Sequence, residues 1–212
     1  MPAFDLNLYL VTDRSLSLNR PLELVIEEAV KGGVTMVQLR EKEASTLEFY
    51  NLAVRLKEIL KPNNVPLIIN NRLDIALACD AEGLHIGQSD MPYNIARKIL
   101  GKDKIIGLSV ESIEDAVKAN KLDVDYIGIS PVFGTKTKTD TAPAIGLEGI
   151  KEITKISVHP SVGIGGINLS NAKDIIQAGA DGISVVSAIM SAENPQESAC
   201  QLKEIIVKSK NR

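Results

Sequence analysis

The chain has 212 residues, of which 44% are hydrophobic and 24% charged, and this length and composition predict one compact domain, residues 1–212, with a sizeable core. The formal net charge of -3 and the lack of a long basic run argue against nucleic acid as a partner. Since no apolar segment approaches the length of a membrane span and the first residues lack a signal-peptide core, we expect no membrane partner and a cytoplasmic location.

Strand and helix patterns alternate along the whole sequence. The predicted strands are 8–13, 36–42, 67–71, 83–87, 105–110, 126–131, 162–167 and 183–188. Helical patterns follow them, one of them from about Thr46 to Leu60 after the second strand, and a polar loop from Phe133 to about Ile145 precedes the sixth helix. Eight such units close most naturally as a single-domain TIM (β/α)8 barrel of the α/β class. The alternative is an open doubly wound sheet, against which the missing GxGxxG after the first strand argues.

An internal repeat accompanies this alternation. A small or acidic turn enters each even-numbered strand, at 33–37, 81–84, 124–127 and 180–183. This spacing is typical of a barrel built from pairwise repeated units.

Scarce cysteine and histidine limit the metal chemistry. Cys79 and Cys200 have no metal-ligand spacing, and since both fall in helical patterns we expect both to be core residues. His85 and His159 form no cluster in the sequence, so zinc is not expected.

The second predicted strand alternates between apolar and polar side chains. A period of two sends Val37 and Leu39 to one face and Gln38, Arg40 and Lys42 to the other. A charged face turned to water is the ordinary alternative. Because helical patterns flank the strand, we expect the polar row to point into the barrel mouth, where two cations and an amide suit a diphosphate.

The ends of strands seven and eight predict a second anion site. Glycines in strand seven let backbone approach a ligand closely, and we expect a helix with exposed amides to open at Asn168 or Ser170. Val186 and Ser187 end strand eight on the opposite side. Gly166 and Ser187 are therefore predicted to hold a phosphate monoester, unless the glycines serve only strand-to-helix packing.

A carboxylate is predicted to face the first anion site. Asp90 follows strand four and would face a basic set made of Arg40, Lys42 and Lys138. Mg²⁺ takes one or two protein carboxylates and fills its octahedron with phosphate oxygens and water, so Asp90 is a candidate ligand. The alternative is a helix cap, because Pro92 follows closely.

Five motifs together resemble one known family. They are YLVTD at 9–13, QLREK at 38–42, HIGQSD at 85–90, TKTK at 135–138 and GIGGI at 163–167. In this order they resemble the thiamine-phosphate synthase family. The resemblance implies a TIM-barrel enzyme that uses Mg²⁺ to join 4-amino-5-hydroxymethyl-2-methylpyrimidine diphosphate to a thiazole phosphate, giving thiamine phosphate and diphosphate.

The resemblance also implies site residues. The pyrimidine diphosphate would be bound by Gln38, Arg40, Lys42, Asn70, Ser109 and Lys138. The thiazole phosphate would be bound by Thr135, Thr137, Gly166, Val186 and Ser187. The metal ligands would be Asn71 and Asp90, and Arg40 and Lys138 would be catalytic because they stabilise the leaving diphosphate. The implied mechanism needs no protein nucleophile, in agreement with the absence of any Ser-His or Cys-His arrangement in the sequence.

Two positions depart from the family pattern. Asn71 stands where the family usually has Asp, although an amide oxygen can still coordinate a hard cation. Glu111 stands where members often have His. Two alternatives therefore stay open, a related thiazole tautomerase and a noncatalytic binder of thiamine or its precursors. The sequence does not fix the oligomeric state.

Overall fold

A closed barrel of parallel strands forms the centre of the protein. The computed structural model describes residues 4–134 and 143–211. Within them each strand pairs with the next, and β8 pairs with β1. The strands are β1 (Leu8–Val11), β2 (Met36–Leu39), β3 (Leu67–Asn70), β4 (Gly83–Ile86), β5 (Ile105–Val110), β6 (Tyr126–Ile129), β7 (Ser161–Ile164) and β8 (Gly182–Val185). The TIM-barrel prediction is confirmed, and closure excludes the open sheet.

Helices cover the outside of the barrel. They are α1 (Leu22–Lys31), α2 (Thr46–Leu60), α3 (Leu73–Ala78), α4 (Tyr93–Leu100), α5 (Ile113–Ala119), α6 (Gly146–Ile156), α7 (Ala172–Gln177), α8 (Ser187–Met190) and α9 (Pro195–Lys210). Their apolar faces and the outward strand residues share one continuous core. No helix in these described ranges combines the length and apolar character that crossing a membrane requires.

The start and the packing of α2 follow from its sequence. Ser45 and Glu48 form a reciprocal capping box at its first turn, which satisfies two backbone amides. Phe49, Leu52 and Leu56 recur at helical spacing and are buried. This agreement between cap and apolar stripe explains why the predicted bounds of α2 match the observed ones.

A second, smaller cluster of buried side chains fills the barrel interior. These side chains alternate along their strands with residues that pack against the helices. The interior cluster comprises Leu6, Tyr9, Met36, Ile68, Ile105, Tyr126 and Val162, with Phe4 packed against it. The lower part of the barrel is therefore a packed core.

Strand β2 is shorter than predicted. It ends at Leu39, so the residues from Arg40 to Lys42 belong to the following loop. The Arg40 amide donates to Thr12 Oγ1 at 3.0 Å instead of to a strand carbonyl. A side-chain acceptor directly after the neighbouring strand β1 thus ends the ladder.

The repeat seen in the sequence has a physical basis. Before each even-numbered strand, one side chain accepts a hydrogen bond from a backbone amide at or next to the start of the preceding odd-numbered strand. The acceptors are Thr35, Glu82, Asp125 and Asp181, and the donors are the amides of Leu8, Leu67, Ile106 and Ser161 at 3.0, 2.9, 2.7 and 2.8 Å. These four bonds tie each pair of strands together at the amino-terminal end of the barrel.

The two cysteines differ in burial. Cys79 is buried as expected, but the expectation for Cys200 is wrong, because it is exposed. On α9 the buried residues include Ala199 and Leu202. Since each residue turns a helix by about 100°, Cys200 lies away from the face that Ala199 buries.

We expect Asp125→Ala to lower the free energy of unfolding by about 3–5 kcal/mol. The Asp125 carboxylate accepts from Arg97 Nη2 at 2.6 Å and from the Ile106 amide at 2.7 Å, and its side chain is only 3% exposed. Removing it leaves a guanidinium and a buried amide without this partner. Urea unfolding followed by circular dichroism measures the change.

The matched control removes a carboxylate from an exposed ion pair. Glu148 lies 2.6 Å from Lys151 with its side chain 80% exposed, and such pairs contribute little. Glu148→Ala should leave the urea midpoint unchanged. Equal midpoints for Asp125→Ala and the wild type would contradict the stabilising role of Asp125.

Candidate active site

One large cavity lies at the carboxyl-terminal ends of the strands. Its volume is about 860 Å³, and all eight strands contribute lining residues. We call it the central cavity. In a closed parallel barrel this is the end where residues from every strand meet, so its position follows from the topology.

Most of the predicted site residues line the central cavity. They are Gln38, Arg40, Lys42, Asn70, Asn71, Asp90, Ser109, Gly166, Val186 and Ser187. Three further predicted residues, Thr135, Thr137 and Lys138, lie outside the described ranges. The structure thus brings the described candidates together, and their individual roles stay predictions.

Neighbouring polar groups hold Arg40 at the cavity. Its Nη1 lies 3.7 Å from Asp13 Oδ2, and its side chain is only 15% exposed. Asp13 itself is fixed, because its Oδ1 accepts from the Ser15 amide at 3.0 Å. Lys42 reaches the same cavity as an exposed residue. The cavity therefore has one partly buried cation paired with a carboxylate and one exposed cation at its rim.

A tight turn holds Asp90 towards the cavity. Its Oδ2 accepts from the Gly87 amide at 2.6 Å. The N-cap of α4 is Pro92, with no side-chain hydrogen bond, so Asp90 does not cap that helix. The helix-cap alternative is excluded, and the carboxylate remains a candidate ligand.

The donor set fits a magnesium ion. Asp90 and Asn71 line the cavity, and Asn71 has a φ of 61°, a left-handed conformation that Asn and Asp tolerate. No group of three or more Asp, Glu, His or Cys side chains placed so that it could hold a metal ion occurs among residues 4–134 and 143–211. Magnesium does not require such a cage, since it usually takes one or two carboxylates and completes its shell with phosphate oxygens and water.

Glu41 is a cavity residue that sequence reasoning missed. Its Oε1 is buried and has no hydrogen-bond partner in the described part of the chain, while Oε2 lies 3.3 Å from Arg14 Nη2. Strict alternation would turn Glu41 away from the face of Arg40 and Lys42. Because β2 ends at Leu39, this alternation does not continue, and all three residues line the cavity.

The predicted phosphate site has the expected glycines but not the expected helix. Gly165 and Gly166 have φ of 106° and 65°, and an added Cβ on Gly166 would lie 2.8 Å from the Gly134 carbonyl oxygen. Gly166 therefore permits a close backbone approach. After the neighbouring strand β8, Ser187 opens α8 directly after Val186 and lines the same cavity.

The helix after β7 begins later than predicted. It starts at Ala172, so the expectation of an opening at Asn168 or Ser170 is wrong. The Asn168 amide donates to Asn171 Oδ1 at 2.8 Å, and the Ser170 amide donates to Asn168 Oδ1 at 2.9 Å. Both amides therefore donate to nearby Asn side chains. Such local side-chain bonds compete with helical hydrogen bonding, so the helix starts later.

A chain of hydrogen bonds crosses the barrel beneath the cavity. Gln38 Nε2 donates to the Tyr9 hydroxyl at 2.7 Å, and the Tyr9 and Tyr126 hydroxyls are 2.8 Å apart. His85 Nδ1 lies 2.9 Å from the Tyr126 hydroxyl, and His85 Nε2 lies 2.9 Å from Ser109 Oγ. We call these five residues the interior network. It joins two predicted pyrimidine-binding residues, Gln38 and Ser109, on opposite sides of the barrel.

The interior network corrects one expectation from the sequence. A Ser-His pair does exist, since Ser109 and His85 are hydrogen-bonded. The other imidazole nitrogen bonds the Tyr126 phenol, at the place where a catalytic triad has a carboxylate. The pair therefore gives no support to a serine nucleophile.

Packing makes room for the network. A Cβ on Gly107 would lie 2.1 Å from Tyr126 Cζ, so only glycine leaves space for that ring. Burial raises the pKa of both Tyr9 and Tyr126 above the usual range, so both phenols keep their protons. Period-two alternation could have placed Tyr9 and Tyr126 inside the barrel. It could not have predicted which side chains they are hydrogen-bonded to.

Comparison with known proteins agrees with this geometry. A family profile described as thiamine monophosphate synthase matches residues 8–189. The chain belongs to the thiamine monophosphate synthase family. The resemblance drawn from the five motifs is confirmed.

Similar members of the thiamine monophosphate synthase family match all or nearly all of the chain. A thiamine-phosphate synthase of Clostridium acetobutylicum is 51% identical over 212 residues, 100% of both chains. One from Leptospira biflexa is 53% identical over 199 residues, 92% of this chain and 95% of the relative. A solved thiamine phosphate pyrophosphorylase of Pyrococcus furiosus has a TM-score of 0.88 and 38% identity, covering 96% of each chain.

We expect Gly166→Ala to destabilise the fold more than Gly146→Ala. Both glycines have nearly the same φ, 65° and 66°, but no described atom lies within 4 Å of a Cβ on Gly146. Gly146→Ala should cost about 1–2 kcal/mol from left-handed strain alone. Gly166→Ala adds a clash with the Gly134 carbonyl. Urea unfolding of both variants measures the difference, and equal losses would disprove the close approach at Gly166.

Proposed function

We propose that the protein is a thiamine-phosphate synthase that joins 4-amino-5-hydroxymethyl-2-methylpyrimidine diphosphate to a thiazole phosphate. Diphosphate is released and thiamine phosphate is formed. The observation that carries this proposal is the central cavity, in which the cations Arg40 and Lys42, the carboxylate of Asp90 and the Gly166–Ser187 side meet. Relatives about half identical to the chain carry the same name.

The reaction is a displacement at a methylene carbon. The C–O bond to diphosphate breaks, the electron pair leaves with the diphosphate, and the electron-rich aminopyrimidine stabilises the resulting cation. The thiazole nitrogen then donates its lone pair to form the new C–N bond. No covalent bond to the protein is needed, so the protein must stabilise the leaving charge and align the attacking ring.

The cationic residues would meet the first requirement. Arg40 offers a planar fork that is partly buried beside the Asp13 carboxylate, and Lys42 offers a point charge at the rim. Lys138, which lies outside the described ranges, would add a third charge. Each contact strengthens as negative charge grows on the departing diphosphate.

The opposite side of the cavity would meet the second requirement. Gly166 and Ser187 line it and would anchor the thiazole phosphate, with Val186 beside them. Thr135 and Thr137, outside the described ranges, would complete this anchor. A phosphate held there restricts the thiazole to orientations in which its nitrogen faces the methylene carbon, which lowers the entropic part of the barrier.

Asp90 and Asn71 would hold magnesium beside the diphosphate. When bound, the ion would neutralise charge on the leaving group. Glu41 lies at the same cavity with one buried oxygen lacking a hydrogen-bond partner in the described part of the chain, and it could accept from a water of the metal shell.

We also propose a cytoplasmic location. Both cysteines are free thiols, which is typical of a reducing compartment. The two substrates are small molecules, and the reaction as proposed needs no nucleic acid and no membrane.

We expect Arg40→Ala and Lys138→Ala each to lower kcat by at least roughly 100-fold, because each removes a charge contact that strengthens in the transition state. A coupled assay of diphosphate release with both substrates measures kcat. Arg55→Ala is the matched control, since Arg55 pairs with Glu23 at 2.8 Å between α1 and α2, away from the cavity. Near-normal turnover of either site variant would refute its catalytic role.

We expect EDTA to abolish diphosphate release and added Mg²⁺ to restore it. Asn71→Asp should lower the Mg²⁺ concentration needed for half-maximal rate, because it adds a negative charge to the donor set without changing the left-handed backbone that Asp also tolerates. Full activity in EDTA would remove the metal from the proposal. An unchanged or weaker Mg²⁺ dependence in Asn71→Asp would mean that Asn71 is not a ligand. Thiamine phosphate among the products of the same assay would exclude both a tautomerase and a noncatalytic binder.

A further inference from the structure

The interior network has a defined direction. Gln38 Nε2 donates to Tyr9, so the Tyr9 oxygen already accepts one bond. If Tyr126 also donated to Tyr9, the Tyr9 hydrogen would be left unpaired in a fully buried site, which is costly. Tyr9 therefore donates to Tyr126, and Tyr126 donates to His85 Nδ1.

This direction fixes the tautomer of His85. A neutral imidazole that accepts at Nδ1 carries its hydrogen on Nε2, and in His85 this Nε2 donates to Ser109 Oγ. The hydroxyl hydrogen of Ser109 is then available to the cavity that Ser109 lines. At the Gln38 end of the network, the amide nitrogen donates to Tyr9. The carbonyl oxygen of Gln38 is therefore the atom that can accept a hydrogen bond from a ligand.

The network therefore presents an acceptor on β2 and a donor on β5. Reversing every bond would give the opposite pair, with an amide donor at Gln38 and a hydroxyl acceptor at Ser109. The two ends cannot reverse separately, because Tyr9, Tyr126 and His85 connect them through shared hydrogens. The barrel interior thus couples two ligand-facing groups on opposite walls of one cavity.

We propose that Tyr9, Tyr126 and His85 are positioning residues that set the hydrogen-bond polarity of Gln38 and Ser109 and thereby select an aminopyrimidine over its oxo analogue. This inference rests on the proposed function. The substrate ring carries an amino donor on C4 and, across the ring, the acceptor nitrogen N1. The 4-oxo analogue replaces the amino donor on C4 by a carbonyl acceptor. Its ring hydrogen lies on N3 or on N1, and the N1–H tautomer also replaces the acceptor at N1 by a donor.

Burial gives this selection its strength. Tyr9 and Tyr126 are 1% and 0% exposed, so water cannot substitute for a lost bond without new space. The phenols stay protonated because burial raises the pKa of each, and both hydroxyl hydrogens remain in the network. The 4-oxo ring would leave desolvated polar groups unpaired at its C4 end, and in the N1–H tautomer at both ends, or would force the whole network to reverse.

Tyr126→Phe tests the proposal by cutting the network at its centre while keeping the ring. Isothermal titration calorimetry without thiazole phosphate would measure Kd for the 4-amino and 4-oxo pyrimidine diphosphates. We expect the preference for the amino compound to fall about tenfold, the scale of one lost hydrogen bond. With saturating substrates kcat should stay within about threefold, and KM for the thiazole phosphate should not change.

Tyr93→Phe is the matched control. Tyr93 is also a buried tyrosine, and its hydroxyl donates to the Asp123 carbonyl, away from the cavity. It should leave the amino-to-oxo preference unchanged. If Tyr126→Phe does not fold, Tyr9→Phe cuts the network one bond nearer Gln38 and should lower the preference in the same direction. A preference retained in the folded variant would overturn the proposal.

Nitrogen-15 NMR of the imidazoles gives a readout that a purely structural role would not move. The chain has only two histidines, and a His159→Gln variant assigns the His85 signals. The wild type should show a single Nε2–H tautomer for His85, and Tyr126→Phe should show a mixture. An Nδ1–H tautomer in the wild type would refute the donor-to-acceptor direction from Gln38 to Ser109.

These measurements separate two failures. If the wild type binds the amino diphosphate selectively and shows the Nε2–H tautomer but forms no thiamine phosphate, the proposed function fails and the network stands. If it forms thiamine phosphate while Tyr126→Phe keeps the full preference, the network proposal fails and the function stands.

Discussion

Hydrogen bonding between β1 and β8 closes the sheet, and the site exists only because of that closure. In a closed parallel barrel all carboxyl-terminal strand ends share one rim, so Gln38 on β2 and Ser187 after β8 line the same cavity although about 150 residues separate them. At the opposite end, four side-chain acceptors such as Asp125 tie each odd strand to the next. Hydrogen bonds at the amino-terminal end of the barrel therefore hold the strands in register, and the candidate site residues lie at the carboxyl-terminal end.

The barrel interior links these two ends. Above an apolar layer that includes Met36 and Ile68, two phenols and an imidazole form the floor of the cavity. Every buried polar group in this floor that belongs to the interior network has a partner, as a low-dielectric site requires. The same bonds that satisfy the core also determine which atoms Gln38 and Ser109 present to a ligand. Core packing and substrate recognition are thus served by one set of hydrogen bonds.

Sequence reasoning succeeded where local signals agree with the fold. The bounds of α2 were predictable because its capping box and its apolar stripe mark the same segment. It failed where a side chain from elsewhere ends an element. Thr12 stops β2 by accepting from the Arg40 amide, and Asx bonds delay α7 to Ala172. Glu41 was missed for the first of these reasons, since period-two alternation has no meaning beyond the end of a strand.

The amino-acid sequence by itself determined the barrel, the order of its units, the family and ten of the residues that line the cavity, because periodicity and motif order are local properties of the chain. Only the tertiary structure decided that His85 bonds Ser109 and Tyr126, that Glu41 joins the cavity and that Gly107 makes room for a ring. The physical reason is distance in the chain: these contacts join different strands, and their geometry is fixed only when the sheet closes and its interior packs.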